Sequence, residues 1–209
     1  MKQLLLICAV LALVGCGESA EEKAPTPQAK VPATPKVEVK KPEPTKDVPI
    51  TIADPIVEKQ ARLALNKPEG EFTEADLEKI LSLALGHTQI TDAGLKEVAK
   101  VQKLTMLWLN DTKITDAGLK ELAKLQKLEL LVLGHTQITD AGLKEVAKMQ
   151  KLRGLSLDGT KITDASLKDI AKLQKLTNLD LLGPKATKAG VAELQKALPK
   201  CRIDSNPTK

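Results

Sequence analysis

Residues 104–127 read LTMLWLNDTKITDAGLKELAKLQK, and this stretch decides the architecture because the chain repeats its pattern every 24 residues. Ile90, Ile114, Ile138 and Ile162 are spaced by 24, as are Asp92, Asp116, Asp140 and Asp164. The apolar triplets keep the same interval: Ile80-Leu83-Leu85, Leu104-Leu107-Leu109, Leu128-Leu131-Leu133, Leu152-Leu155-Leu157 and Leu176-Leu179-Leu181. Each triplet sits in a short extended stretch, an isoleucine closes a turn, and Thr-Asp then places an N-cap and a negative charge at a helix N-terminus. In the quoted unit Leu119, Leu122, Ala123 and Leu125 form the apolar helix face, with Lys120, Glu121, Lys124 and Lys127 on the wet one. No single unit buries its leucines alone. Stacked units share them in one continuous core, with strands about 4.7–4.9 Å apart.

Both ends of the array depart from the pattern. Residues 51–79 are not a repeat: Asp54-Pro55 starts a helix, Asn66-Lys67-Pro68-Glu69-Gly70 breaks it, and Thr73-Glu74-Ala75-Asp76 starts a second one with capping-box spacing. This segment is expected to cover the first strand as a helical N-terminal cap. At the other end Pro184 and Lys188 stand where Thr and Asp stood before. A last short strand closes the stack at Cys201-Arg202-Ile203, so the repeat domain is expected to cover 80–203, with 204–209 as a loose tail. Residues 86–100 and 134–148 are identical, GHTQITDAGLKEVAK, which also gives a 48-residue period. Duplication of a repeat pair explains it, and such identity reflects history as well as use.

The N-terminal quarter is of another kind. Residues 1–15 carry Lys2 and an apolar run from Leu4 to Val14, too short to span a bilayer comfortably and suited to a signal-peptide core. The sequence Leu13-Val14-Gly15-Cys16 resembles a bacterial lipobox, which implies cleavage before Cys16 and lipidation there; an ordinary secretory signal followed by a chance cysteine is the alternative. From 16 to 50 the chain is rich in Pro, Lys and Glu and has no apolar period, so it cannot offset its ordering entropy. It reads as an extended tether of about 100 Å at roughly 3 Å per residue. Of three cysteines, Cys8 leaves with the signal and Cys16 would carry lipid, which leaves Cys201 alone and no internal disulfide. Cys201 takes a repeat leucine's place and reads as a small buried apolar residue.

On the residues quoted above, 80–203 resembles leucine-rich-repeat proteins, closest to the subclass whose repeats read I-T-D-x-G-L-x-x-L-A. That phrase stands here at 90–95, 114–119 and 138–143, and with Ser166 for Gly at 162–167. The resemblance implies a right-handed α/β solenoid with a concave parallel β-sheet and convex helices, and protein recognition as its use. Where the subclass has Cys or Asn before the turn, this chain has Thr88, Thr112, Thr136 and Thr160. No F-box-like segment precedes the repeats, so a ubiquitin-ligase role does not carry over. With the lipobox, the chain resembles a bacterial leucine-rich-repeat lipoprotein, anchored outside the cytoplasm on a cell or outer membrane.

In such a fold the non-leucine strand positions face the concave side. There Met106, Trp108, Leu130 and Val132 fall side by side as an apolar patch, and Trp108 is the only Trp in a chain with one Phe and no Tyr. Trp and Met are enriched at interface cores, so these four are the leading binding candidates; the alternative is that they only pack on each other. A second candidate column follows the strands: His87, Asp111 and His135, with the two imidazoles about 10 Å apart by strand spacing. Two imidazoles and a carboxylate would suit a divalent metal or acid–base chemistry, but the spacing is wide and no third His or Cys is at hand. A surface row of hydrogen-bonded His, Asp and His is the plainer reading.

The formal charge of +5 is spread over lysines that alternate with acids, with no basic stripe and interleaved aromatics, so nucleic acid is not an expected partner. No G-x-S-x-G, P-loop, H-E-x-x-H or C-x-x-C is present, and no cofactor or enzymatic activity is expected. The reading is a lipid-anchored protein-binding module. A structural envelope protein without a discrete ligand is the alternative, and a metal-dependent activity at the histidine row is the third.

Overall fold

The computed structural model describes residues 49–183 and 185–207. The signal segment, Cys16 and the tether as far as residue 48 lie outside the described residues, as do 208 and 209. The array itself is the expected solenoid of strand–turn–helix units. The chain runs β1 (Pro49–Ile50), α1 (Pro55–Leu65), β2 (Phe72–Thr73), α2 (Glu74–Lys79), β3 (Ser82–Ala84), α3 (Asp92–Val98), β4 (Met106–Trp108), α4 (Asp116–Leu122) and β5 (Leu130–Val132). It continues as α5 (Asp140–Val146), β6 (Gly154–Ser156), α6 (Asp164–Ile170), β7 (Asn178–Leu181), α7 (Lys188–Ala197) and β8 (Arg202–Ser205). Strands β3 to β8 form one six-stranded parallel sheet in sequence order, each joined to the next through a helix.

The stacking register equals the sequence period: Leu83, Leu107, Leu131, Leu155 and Leu179 face one another on successive strands. All five are buried, together with the helix leucines and Ile90, Ile114, Ile138 and Ile162, in one core. Among the described residues no buried side-chain nitrogen or oxygen lacks a hydrogen-bond partner. The threonines that replace the subclass's Cys or Asn explain part of this. Thr88, Thr112, Thr136 and Thr160 donate their hydroxyls to the carbonyls of Leu85, Leu109, Leu133 and Leu157 at 2.6, 2.7, 2.7 and 2.6 Å. Each hydroxyl thus serves a backbone carbonyl at the turn, where burial would make an unpaired polar group costly.

A second set of bonds runs between repeats. The helix-start aspartate reaches forward to the N-cap threonine of the next unit. Thr115 donates its N–H and its hydroxyl to Asp92 at 2.8 and 2.6 Å, and Thr139 does the same to Asp116 at 2.9 and 2.6 Å. Thr163 does so to Asp140 at 2.8 and 2.7 Å, and Thr187 to Asp164 at 2.8 and 2.6 Å. The sequence alone points only to a helix-dipole role for these acids. The ladder also accounts for the glycines at 118 and 142, each of which faces the aspartate of the preceding repeat. A Cβ on Gly118 would lie 2.5 Å from Asp92 Oδ1, and one on Gly142 would meet Asp116 and Leu119.

Gly142→Ala is therefore expected to cost about 1–3 kcal/mol, the usual range for overpacking, read by urea unfolding. Gly142→Ser copies position 166, where the hydroxyl donates to Thr163 O at 3.1 Å, and should recover part of that loss. A serine no better than alanine would show that the hydroxyl at 166 offers no compensation.

The cap has the two predicted helices with their predicted starts. Asp54 accepts from the N–H groups of Ile56 and Val57 at 2.9 and 3.1 Å, and Pro55 fills the first helical position. Thr73 and Asp76 form a reciprocal capping box, each bond 3.2 Å long. Pro49 and Ile50, placed by sequence at the end of the tether, instead pair antiparallel with Thr73 and Phe72. The reason is that β2 would otherwise leave its backbone groups unpaired. Glu97 fastens the cap to the first repeat: it accepts from the Ala53 N–H at 2.9 Å and from Lys100 at 2.8 Å, while Lys100 also donates to Thr51 O at 2.9 Å.

The Lys67 ammonium, 2.7 Å from Asp76, is the main reason that the carboxyl is lowered to about 2. A depressed folded value means stabilisation that is complete above the unfolded carboxylate value of about 3.9 and is lost as pH falls towards 2. The cap should thus loosen between about pH 4 and 2. Asp76→Asn should remove about 1–2 kcal/mol at neutral pH and abolish that acid step, followed by amide exchange in α2. An acid step that persists in the variant would place its origin elsewhere.

The C-terminal boundary also differs from expectation. Asp204 and Ser205 are not loose tail but the second half of β8, opposite Asp180 and Leu181. Asn206 then accepts from the Gly183 N–H at 2.6 Å. The unpaired edge of β7 supplies the reason, since four residues of backbone find partners there. Cys201 is buried as expected, and burial pushes its thiol up.

Candidate functional site

The sheet's outward face is formed by the residues that alternate with the core leucines, because successive strand side chains point to opposite faces. Two rows result. One runs Ser82, Met106, Leu130, Gly154, Asn178, Arg202, and the other Ala84, Trp108, Val132, Ser156, Asp180, Asp204. Register pairs Met106 with Leu130 and Trp108 with Val132, so the four apolar candidates do lie together. Met106 is 38% exposed, and Trp108, Leu130 and Val132 are half-buried. On its other side Trp108 is opposite Ala84, which has no side chain long enough to cover the indole.

Two features near this patch are not legible in the sequence. Leu81, just before β3, is 52% exposed and is joined through its carbonyl to Thr105 and Met106. Gly154 is the other: a Cβ there would fall 2.7 Å from Leu130 Cδ1, so the leucine side chain lies over the glycine and extends the apolar surface across β6. The signal is present, since among the described residues 154 is the only glycine within a strand, but the direction in which Leu130 leans is a packing result.

The histidine column is placed as expected and bonded otherwise. His87, Asp111, His135 and Gly159 occupy the same turn in successive repeats, with φ of 56°, 55°, 54° and 61°. This left-handed region is one that His and Asp tolerate better than most residues. His87 Nδ1 lies 3.4 Å from Asp111 Oδ2, and Asn110 Nδ2 lies 3.0 Å from His87 Nε2. His135 does not share Asp111. Its Nε2 is 3.2 Å from Asp158 Oδ2 instead.

The expected His–Asp–His row is thus two separate pairs. Each imidazole turns towards the following repeat, and there His135 meets Gly159, which has no carboxylate; its ring lies where a Cβ of Gly159 would stand. The acid it finds is one residue earlier, at Asp158. Both rings are well exposed, 76% for His87 and 57% for His135, and exposed pairs of this kind contribute well under about 1 kcal/mol. Among the described residues no three His, Cys, Asp or Glu side chains converge on one point that would hold a metal ion.

The far end of the same face is polar. Ser156 donates to Asp180 Oδ2 at 3.5 Å, and Asp180 Oδ1 accepts from the Leu182 N–H at 3.0 Å. Arg202 is 3.2 Å from Asp204, and Arg153 is 3.6 Å from Glu129. On the helical side Lys100, Lys124, Lys148, Lys172 and Lys196 each pair with an acid three residues earlier.

Residues 77–99, 102–123 and 124–147 match a family model described as leucine rich repeat. The 24-residue unit is a leucine-rich repeat and the fold is that of a leucine-rich-repeat solenoid. No curated protein matches the sequence. Among solved structures the chain is similar to internalin C2 of Listeria monocytogenes, at 22% identity over 75% of this chain and 86% of that one, with a TM-score of 0.41. It is also similar to a leucine-rich-repeat protein of Leptospira interrogans, at 29% identity over 64% of this chain and 34% of that one, TM-score 0.49. A further internalin of Listeria monocytogenes, internalin F, shares 19% identity over 77% of this chain and 58% of that one, TM-score 0.49. The chain thus spans about a third of the Leptospira protein's length and somewhat over half of internalin F's.

Proposed function

We propose that this leucine-rich-repeat chain is a lipid-anchored, extracytoplasmic binding module that recognises a protein partner through its sheet face. The observation that carries the reading is the juxtaposition of Met106, Trp108, Leu130 and Val132 in register on two neighbouring strands, extended by Leu130's cover over Gly154. Large apolar and aromatic groups left open to water on a rigid sheet are the usual centre of a protein–protein contact. His87, Asp111 and His135 form the polar rim beside it, in the turn that follows the strands. Leucine-rich repeats are commonly used for protein recognition, and the repeat model matched here is in keeping with that use.

The anchor rests on sequence: the apolar run 4–14, the Leu-Val-Gly-Cys at 13–16 and the proline-rich stretch that follows. Among the described residues no helix is long and apolar enough to cross a membrane. Cys16→Ala is expected to abolish incorporation of a labelled fatty acid and to release the chain from membranes. Labelling that survives the substitution would remove the anchor from this reading.

Binding is tested by photo-crosslinking from position 108 in intact cells, with adducts identified by mass spectrometry. One dominant protein adduct, absent when Leu130→Asp is combined with the probe, is the expected result. A yield equal to that from the exposed helical position Lys120 would overturn the assignment of this face.

A further inference from the structure

The charges of this chain are sorted between its faces. The whole sequence carries +5, yet the sheet-face stretches 81–87, 105–111, 129–135, 153–159, 177–183 and 202–206 contain no lysine at all. They hold Asp111, Glu129, Asp158, Asp180 and Asp204 against Arg153 and Arg202, a balance of −3 with the histidines neutral. The two guanidiniums are already occupied by Glu129 and Asp204. Among the described residues Asp180 has an amide and a hydroxyl as partners and no cation. On the helical side Lys96, Lys120, Lys144 and Lys168 are exposed, so the opposite surface is positive.

With the histidines neutral, Asp111, Asp158 and Asp180 are the acids of this face that no Lys or Arg among the described residues pairs, and of the three Asp180 shares a row with the apolar patch. Trp108, Val132, Ser156 and Asp180 are consecutive partners across β4 to β7. By strand spacing Asp180 stands about 10 Å from Val132 and about 14 Å from Trp108. A ligand that lies across the strands therefore meets an apolar surface first and a carboxylate two or three strands later.

From this we infer that the partner is a cationic protein segment, lying across the strands, that sets an apolar side chain on Trp108 and Leu130 and a Lys or Arg on Asp180. The inference rests on the reading of the sheet face as a binding surface. An extended segment advances about 3.3 Å per residue, so its two anchoring side chains stand three or four residues apart. The charge sorting serves selection as well as attraction. A basic segment is repelled by the helical lysines and drawn to the sheet, which biases encounter towards the correct face.

The test is selection of short linear peptides from a random display library on the full chain held in detergent micelles. The expected winners pair an apolar residue with Lys or Arg three or four positions away. A synthetic winner should bind Asp180→Lys about tenfold more weakly, with the difference shrinking as salt rises and screening shortens the range of the charge. Asp180→Asn, which keeps the acceptor for Leu182, should fall between the two. Winners that depend on Leu130 but bind Asp180→Lys unchanged would overturn the cationic partner and leave the binding face standing. Winners indifferent to Leu130→Asp would overturn both. Concentration-dependent sedimentation of the chain alone, lost with Leu130→Asp, would give the face to a second copy and overturn the inference as well.

Discussion

Asp116→Ala is expected to lower stability by about 2–4 kcal/mol, as two charge-assisted hydrogen bonds are lost together. Asp116 accepts both the N–H and the hydroxyl of Thr139, and it also sits at the start of α4, where a negative charge suits the helix dipole. Removing it leaves the half-buried Thr139 amide with no replacement of equal geometry. In a solenoid each unit is stabilised mainly by its neighbours, so the cost falls on one interface. The urea transition should broaden as well as shift, because the two halves of the stack begin to unfold separately. Asp116→Asn keeps one acceptor and should lose about half as much. A shift for the alanine variant below about 0.5 kcal/mol, the range of neutral surface changes, would show that the ladder is decorative.

The same ladder predicts an acid response. Burial tends to raise the Asp140 carboxyl, but the hydrogen bonds it accepts, the Thr163 amide and hydroxyl among them, outweigh this and hold the group below its ordinary value. A depressed folded value contributes stability that is present above the unfolded carboxylate range and is lost as pH falls through the folded one. Stability should therefore decline below about pH 4, and Asp140→Asn should flatten that decline.

Leu130→Asp is expected to weaken partner binding at least about 100-fold, the scale of a central interface residue, with a much smaller loss of stability. Leu130 is half-buried on the sheet's outer face, opposite Met106 and over Gly154, and is not part of the core. Its replacement removes the middle of the apolar patch and places a charge where a partner's apolar group would be desolvated. Trp108, the only tryptophan, reports on the same surface. Its emission should shift to shorter wavelength when the wild-type chain meets its partner and stay unchanged in the variant. Equal affinity in both chains would remove the patch from recognition and favour a purely structural role.

The fold was open to reading because it is a local pattern repeated. The 24-residue interval returned as the strand register itself, and the cap's helix starts followed from Asp54-Pro55 and from Thr73 with Asp76. The patch was legible for the same reason: once strands are in register, the residues between the leucines must align. The aspartate ladder leaves a trace in the sequence. Asp stands at 92, 116, 140 and 164, each followed two residues later by glycine or serine, and that small residue marks the place where the carboxylate passes.

Sequence by itself determined the repeat, the core, the cap and the alignment of Met106 and Trp108 with Leu130 and Val132, because each follows from periodicity and local capping. Tertiary structure alone decided that Asp116 bonds forward to Thr139, that His135 pairs with Asp158 and not Asp111, that Leu130 leans over Gly154, and that residues 49, 50, 204 and 205 join sheets. The physical reason is common to all of these. Each is a choice made by a side chain or strand edge among partners in a neighbouring element, and only the stacked geometry says which partner is within reach.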